Sequence, residues 1–350
     1  MSRYFSGRIL TLAGCALLCT ALLGQPRLAA QGFESGVQLC LHSVLPALFP
    51  YFVVCELLSS LSLRGWPIRL LARLLGLQSE QTASALLLAW AGGYAVCARM
   101  AARLRQTGTI TSRDATLLLL LGCCSGPGFV IGCVGGLLLG NLRLGILLYA
   151  AQLAVNLLCA ALCLPLLPHS TPSRSQPAAA QPGPVLLPSA LSSAVDSSLQ
   201  VCGCVIFFRT VATLLAPYLP KAPLATACMS ALLEISAGCA DFSALGGRTA
   251  LYGCCVCLSL LGLSVWMQLA LLLQGTVSFR PLVVSRLLHL VLFPPLVGLC
   301  ARFLPGCAAV YRSLTGPVIP IGRLAPDAAV VVFLFLCAAL YKIRQNFYNG

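Results

Sequence analysis

The sequence predicts an all-α protein, a polytopic bundle of transmembrane helices with two inverted repeats, each containing a short re-entrant or broken hairpin. Of the 350 residues, 59% are hydrophobic and only 9% are charged, with a mean hydropathy of +0.94. A soluble domain carries about 25% charged residues, so this composition excludes an ordinary soluble enzyme. Membrane-spanning backbone must form helices or a closed barrel. The long runs rich in Leu and Ala favour helices over strands of alternating polarity.

The charges and the cysteines fit the same interpretation. The net charge is +14, and the arginines stand between apolar runs without a basic stripe of interleaved aromatics. This pattern is typical of topology determinants facing an anionic leaflet, so a nucleic-acid partner is not expected. Most of the 20 cysteines lie inside apolar runs, and pairs such as Cys123 and Cys124 lack zinc-site spacing. We therefore expect no metal and no cofactor.

The first part of the chain divides at shifts in composition. Residues 1–35 are predicted to form an N-terminal transmembrane helix that is retained rather than cleaved as a signal peptide. Residues 36–168 are predicted to form the first repeat. Its four elements are a proline-interrupted span at 36–63, a short run at 82–98, an interrupted span at 115–140 and a plain span at 144–166.

The short run at 82–98 is predicted to be re-entrant. It contains Gly92 and Gly93 and lies between two arginine-rich stretches, which would face opposite sides of the membrane if the run crossed it. Broken backbone of this kind is tolerated at membrane depth only where protein or a water-filled cavity surrounds it. The following span has an unwound centre at 123–128, because Pro127 removes a helical hydrogen bond and the neighbouring glycines are permissive.

The second part repeats this order after a Pro-, Ser- and Ala-rich linker at 169–188. Residues 189–304 are predicted to form the second repeat, followed by a C-terminal loop and transmembrane helix at 305–350. The second repeat's elements are a span at 189–219, a short run at 222–245 broken at Gly238, a span at 249–274 and a span at 282–304. A cytoplasmic linker makes the halves inverted. Matching interrupted segments in two such halves predict a binding site near the membrane midplane.

Glu234 is the ionisable residue whose position, inside an apolar run, most needs an explanation. It lies in the second short run together with Ser236 and Gly238, and a charged group there costs about 2.5–3.5 kcal/mol on insertion scales. We predict that it binds a co-transported proton or cation, or hydrogen-bonds a polar solute. The structural alternative is an interface carboxylate, or one paired with Arg209.

Two further groups of residues are candidate solute contacts. Ser264 and Gln268 are four residues apart, so they share one helix face. They would either join helices or contact the solute. Ser125, Gly126 and Pro127 form a kink whose exposed amides could receive an anionic group. Gly93 is the first-half counterpart of Gly238. A transporter is expected to gather Glu234, Ser264 and Gln268 around one enclosed polar cavity.

These segments together resemble a known family, the sporulation integral membrane proteins of the YlbJ type, which carry the nucleoside-recognition (Gate) domain. The resemblance extends from about residue 36 to residue 304. It rests on the order of five segments: a proline-punctuated segment at 36–52, a GYxVxA segment at 93–98, a GP-containing segment at 125–135, an LEIxxG segment at 233–238 and an LSVxxQ segment at 263–268. Two departures stand out. Ala95 and Cys97 replace a proline and a glycine of the family, and Cys123 and Cys124 occupy the place of an asparagine.

The resemblance implies a non-enzymatic, multi-pass protein of the cell membrane, such as the mother-cell-derived forespore membrane. The family is distantly similar to concentrative nucleoside transporters and is linked to the movement of dipicolinate. The expected partners are a small polar or anionic solute, membrane lipid and a coupling proton or cation, and an oligomer is compatible with the sequence. The rival hypothesis is a non-transporting scaffold or signalling protein in spore envelope assembly. A membrane redox or metalloenzyme would require clustered thiols.

Overall fold

The computed structural model describes residues 2–59, 65–168 and 186–303. The first half contains α1 (Ser2–Gly24), α2 (Pro26–Leu39), α3 (Leu45–Ser59), α4 (Trp66–Leu74), α5 (Glu80–Gly92), α6 (Tyr94–Gln106), α7 (Ser112–Gly122) and α8 (Leu142–Leu162). The second half contains α9 (Leu187–Leu215), α10 (Pro223–Leu233), α11 (Ile235–Leu245), α12 (Gly247–Leu260), α13 (Gly262–Leu273) and α14 (Arg280–Phe303). Two π-helical stretches, Cys40–Val44 and Gly128–Leu138, complete the main elements. The described residues contain no strand, so the all-α prediction is confirmed for them.

Five helical segments within the described residues are long and apolar enough to cross a membrane. They are Pro26–Leu58, Leu142–Leu162, Leu187–Tyr218, Gly247–Leu273 and Arg280–Arg302. A helix rises 1.5 Å per residue, so about 20 residues cross a hydrocarbon core of about 30 Å. Their outward faces carry large exposed apolar side chains, among them Ile146, Leu158, Phe207, Leu287 and Val291. Such a surface is compatible with a multi-pass membrane protein.

Two helical hairpins have arms that are too short to cross a membrane. The arms α5 and α6 have 13 residues each and pack against each other, and the 11-residue arms α10 and α11 do the same. An 11-residue helix is only about 17 Å long. The first break falls at Gly93, inside the predicted run. The second falls at Glu234 and not at Gly238, which lies within α11, so the predicted position of that break was wrong.

Helical irregularities in the first half follow its prolines. The π-helical turn Cys40–Val44 lies just before Pro46, whose ring would meet the carbonyl group four residues earlier in a regular α-helix. The stretch Gly128–Leu138 begins directly after Pro127, as expected for the predicted interruption. In the second half the predicted span at 249–274 is also broken. Leu261 there has a positive φ of 67° and separates α12 from α13.

The order of span, hairpin, interrupted helix and plain helix occurs twice, and the packing of the two halves corresponds. The long helices α2 and α3 pack against α9, and α8 packs against α14. The hairpin arms cross between halves, because α6 contacts α13 and α11 contacts the π-helical stretch Gly128–Leu138. Each half therefore completes the surroundings of the other half's interrupted helix.

The domain boundaries of the sequence prediction fall differently on these elements. Gly36, the predicted start of the first repeat, lies inside α2, which begins at Pro26. Most of the predicted linker, residues 169–185, and all of residues 304–350, including the predicted last span, lie outside the described residues.

Asp114 anchors the first interrupted helix to the first hairpin. Its side chain is fully buried, and its carboxylate accepts hydrogen bonds from the Gln78 backbone N–H at 3.0 and 3.1 Å and from the Thr82 hydroxyl at 2.8 Å. Thr111 caps α7 by accepting from the Asp114 N–H. A single carboxylate thus joins the beginnings of α5 and α7.

The variant Asp114→Asn is expected to lower the free energy of unfolding by about 1–3 kcal/mol, because the amide NH₂ would face buried donors in place of an acceptor. Thermal unfolding of the purified protein in detergent measures the effect. Glu80→Gln is the matched control: its ion pair with Arg69 is half-exposed and is worth at most about 1 kcal/mol. Equal melting temperatures for the two variants would contradict this role of Asp114.

Candidate functional site

A partly open cleft lies where α3, α9 and the breaks of both hairpins meet. The space between its walls, counted together with its open mouth, is about 400 Å³. Its apolar walls are formed by Leu48, Phe52, Phe129, Val201 and Ile235. The remaining lining is small, polar or backbone, from Gly92, Gly93, Tyr94, Ala95, Ser125, Gly126 and Ser236. The cleft is thus apolar with a few polar groups at the helix breaks.

The first-half wall is built on a glycine contact between two breaks. Gly93 has φ +80° and ψ −168°, and a Cβ there would lie 2.8 Å from the backbone nitrogen of Gly126. Only glycine permits both this conformation and this approach. α6 therefore begins at the cleft, and no side chain caps it. The first N–H groups of a helix lack intrahelical acceptors, so this end favours a polar or anionic group.

The second-half wall is built on the corresponding break. Glu234 is 3% exposed, and its Oε2 accepts the Ala237 N–H at 2.7 Å, which caps α11. A Cβ on Gly262, at the start of α13, would lie 3.1 Å from the Cα of Glu234. Ile235 and Ser236, the next residues, face the cleft. The Glu234 carboxylate thus stands directly behind the second wall and balances the positive end of α11.

Arg209 pairs with Asp241 and not with Glu234, so the predicted alternative partner was wrong. The Arg209 Nη1 lies 2.6 Å from the Asp241 Oδ2, which also accepts from the Ser230 hydroxyl at 2.6 Å. The Arg209 Nε donates to the Ser35 hydroxyl at 3.2 Å. This cluster holds α2, α9, α10 and α11 together. It leaves Glu234 with its local backbone contacts.

The predicted site residues separate into two groups. Gly93, Ser125, Gly126 and Ser236 line the cleft, and Pro127 immediately precedes the π-helical stretch behind it. The others are packed between helices. A Cβ on Gly238 would lie 2.6 Å from the Ala231 Cα, so this glycine permits the close approach of α10 and α11.

Ser264 and Gln268 belong to the second group. Both are buried in α13, where the Gln268 Nε2 donates to the Ser264 Oγ at 3.2 Å. Neither lines the cleft described above. The structure therefore places Glu234 beside the cleft. Ser264 and Gln268 lie further along α13, the helix whose first residue, Gly262, approaches Glu234. Their mutual hydrogen bond lies within α13, so it neither joins two helices nor reaches the cleft.

A buried polar cluster behind the first break was not predicted. The Gln152 Nε2 donates to the Ser125 carbonyl at 3.0 Å, and the Asn156 Nδ2 donates to the Leu121 carbonyl at 3.5 Å. The Asn156 Oδ1 accepts from Arg286, which is 3% exposed. An arginine inside the apolar run at 282–304 was the signal that could have identified this cluster, since intramembrane charges are rare.

The chemistry of the cleft is that of a binding site. Its apolar walls suit a flat or aliphatic body, and the uncapped start of α6 with Ser125 and Ser236 suits a polar or anionic end. Among the described residues, no group of three or more His, Cys, Asp or Glu side chains could hold a metal ion. Comparisons with protein-family models, with curated proteins and with solved structures found no match.

Proposed function

We propose that this chain is a multi-pass membrane transporter that moves a small solute with an apolar body and a polar or anionic end. The observation that carries the proposal is the cleft of about 400 Å³ at which the breaks of both hairpins meet. Interrupted helices at matching positions of two halves are characteristic of secondary transporters, whose solutes bind at the interface between repeats. Transport would proceed by alternating access.

The proposal includes a topology. Both hairpins enter the membrane and leave it on the same side, and the two halves have opposite orientations. The short arms and the corresponding packing of the halves support this arrangement. α6 and α11 would then begin near the midplane from opposite sides, and the Glu234 carboxylate would bind the coupling proton or cation.

The resemblance to the YlbJ type selects the first solutes to test. It suggests dipicolinate, an aromatic dicarboxylate, in the forespore membrane. The aromatic ring would suit the walls formed by Phe52 and Phe129, and a carboxylate would suit the start of α6. Nucleosides and simple anions complete the panel.

Val201→Trp is expected to lower solute uptake roughly tenfold or more, because the indole fills the cleft and blocks a contact worth at least about 1.4 kcal/mol. Val201 is 7% exposed and lines the cleft, whereas Leu199, on the same helix, is 39% exposed. Leu199→Trp is therefore the control. Uptake of labelled dipicolinate, nucleosides and anions into vesicles containing each variant tests the assignment. Equal uptake by the two variants would remove the cleft from the transport path.

A non-transporting scaffold is the second candidate function, and one observation favours it. Ser264 and Gln268 hydrogen-bond each other, and neither they nor Glu234 line the cleft, so the three are not gathered around one polar cavity there. A scaffold would show neither binding nor uptake of any solute in the panel, although the purified protein is folded. That result would replace the transporter proposal.

A further inference from the structure

Arg286 is a buried cation whose hydrogen-bonding capacity is largely unused. It lies on α14 and is 3% exposed. One nitrogen, Nη2, donates to the Asn156 Oδ1 on α8, whereas Nε and Nη1 have no hydrogen-bond partner within the described residues. A guanidinium carries five N–H donors in a fixed fork. Its N–H groups converge in pairs along two edges, Nε–Nη2 and Nη1–Nη2, and each such edge can hold an anion. Asn156 is a single acceptor on Nη2, so it leaves one of these edges free.

The known partners of Arg286 do not neutralise its charge. Asn156 is an uncharged amide, and the acids with visible partners are engaged elsewhere: Glu80 with Arg69, Asp114 with Gln78 and Thr82, Glu234 with Ala237, and Asp241 with Arg209. Water could satisfy the free N–H groups but would bring no negative charge. Burying an unpaired ion costs several kcal/mol even after relaxation.

We propose that Arg286 holds a small inorganic anion, of the size of chloride, on the edge of its guanidinium that Asn156 leaves free, between α8 and α14. The Ser285 hydroxyl, on the neighbouring residue of α14, is also fully buried and has no hydrogen-bond partner within the described residues. The anion is the missing counter-charge of the cluster that supports the first break through Asn156 and the Leu121 carbonyl.

The surroundings of Arg286 select a small ion rather than an organic solute. Gln152, Asn156, Cys159, Ser285 and His289 are all fully buried around this part of the α8–α14 interface. Arg286 does not line the 400 Å³ cleft. The site is therefore separate from the one in the proposed function, and its occupancy does not depend on transport.

The test measures the thermal unfolding of the purified protein in sodium chloride and in sodium gluconate at equal ionic strength. Gluconate is too large for a packed site. For the wild type we expect a saturable rise of about 2–4 °C with chloride, since a ligand that binds only the folded state stabilises it. Arg286→Met should lose this dependence, and Arg302→Met, on the exposed end of the same helix, should keep it.

Asn156→Asp provides a second test that does not remove the arginine. It places a carboxylate at the oxygen that already accepts from Arg286, so the protein carries its own counter-charge. We expect this variant to unfold at the same temperature in chloride and in gluconate. A wild type indifferent to chloride would overturn the proposal.

Discussion

Glu234→Gln is expected to lower the initial rate of solute uptake at least roughly tenfold, equivalent to about 1.4 kcal/mol or more, while the protein stays folded in the membrane. The glutamine keeps an oxygen that can accept the Ala237 N–H, so the cap of α11 survives. What is lost is the negative charge beside the cleft. In the proposed mechanism this charge binds the coupling ion, and a neutral amide cannot replace it.

Glu234→Ala separates the charge from the cap. It should abolish uptake as well, and it should also lower the free energy of unfolding by about 0.5–2 kcal/mol, the usual cost of removing a helix cap. Glu34→Gln, on the exposed side of α2, is the matched control for the loss of one negative charge. Vesicle uptake and thermal unfolding are measured on the same preparations. Wild-type uptake by Glu234→Gln would refute the assigned role of this carboxylate.

Gly93→Ala is expected to destabilise the protein by about 3 kcal/mol or more, enough to prevent a folded preparation. The conformation at φ +80° and ψ −168° is almost inaccessible to other residues and costs about 1–3 kcal/mol. In addition, the new methyl group would lie 2.8 Å from a backbone nitrogen of the neighbouring break, which cannot move as a flexible side chain can.

Gly203→Ala is the control for this prediction. Gly203 lies in the middle of α9, has a normal helical backbone and has no atom within 4 Å of the position a Cβ would take. Alanine there should be neutral or stabilise by up to about 1 kcal/mol. Size-exclusion profiles and melting temperatures of the two variants measure the difference. A monodisperse Gly93→Ala protein with the wild-type melting temperature would show that the two breaks do not pack as described.

The sequence predicts the helices well because lipid-facing composition is a strong signal. Within the described residues, helices cover the long apolar runs, and the break beside Gly92 and Gly93 and the interruption at Pro127 lie where backbone chemistry predicts them. Gly93, Ser125, Gly126 and Ser236, which the sequence indicates as candidate site residues, line the cleft. Glycine and proline reveal such breaks because their backbone constraints are local.

The remaining features depend on contacts between distant segments. The second break falls at Glu234, where no glycine or proline marks it, because the carboxylate itself caps α11. Leu261 adopts a left-handed backbone conformation, which is uncommon for leucine and which the sequence does not predict. The sequence does not show whether Arg209 pairs with Glu234 or with Asp241, and the packing of the helices brings it to Asp241. The part that Arg286 takes in the buried polar cluster was not predicted, because one arginine among 22 basic residues was interpreted as a determinant of membrane topology.

The crossed packing of the hairpins has a consequence for biosynthesis. α6 contacts α13, and the π-helical stretch Gly128–Leu138 contacts α11, so the first half is synthesised before the elements that it packs against. Until α10–α14 emerge from the ribosome, the first hairpin and its unpaired backbone ends lack their cover. The early chain therefore exposes surface that only the second half covers, and such transient exposure is the condition under which chains misfold or aggregate.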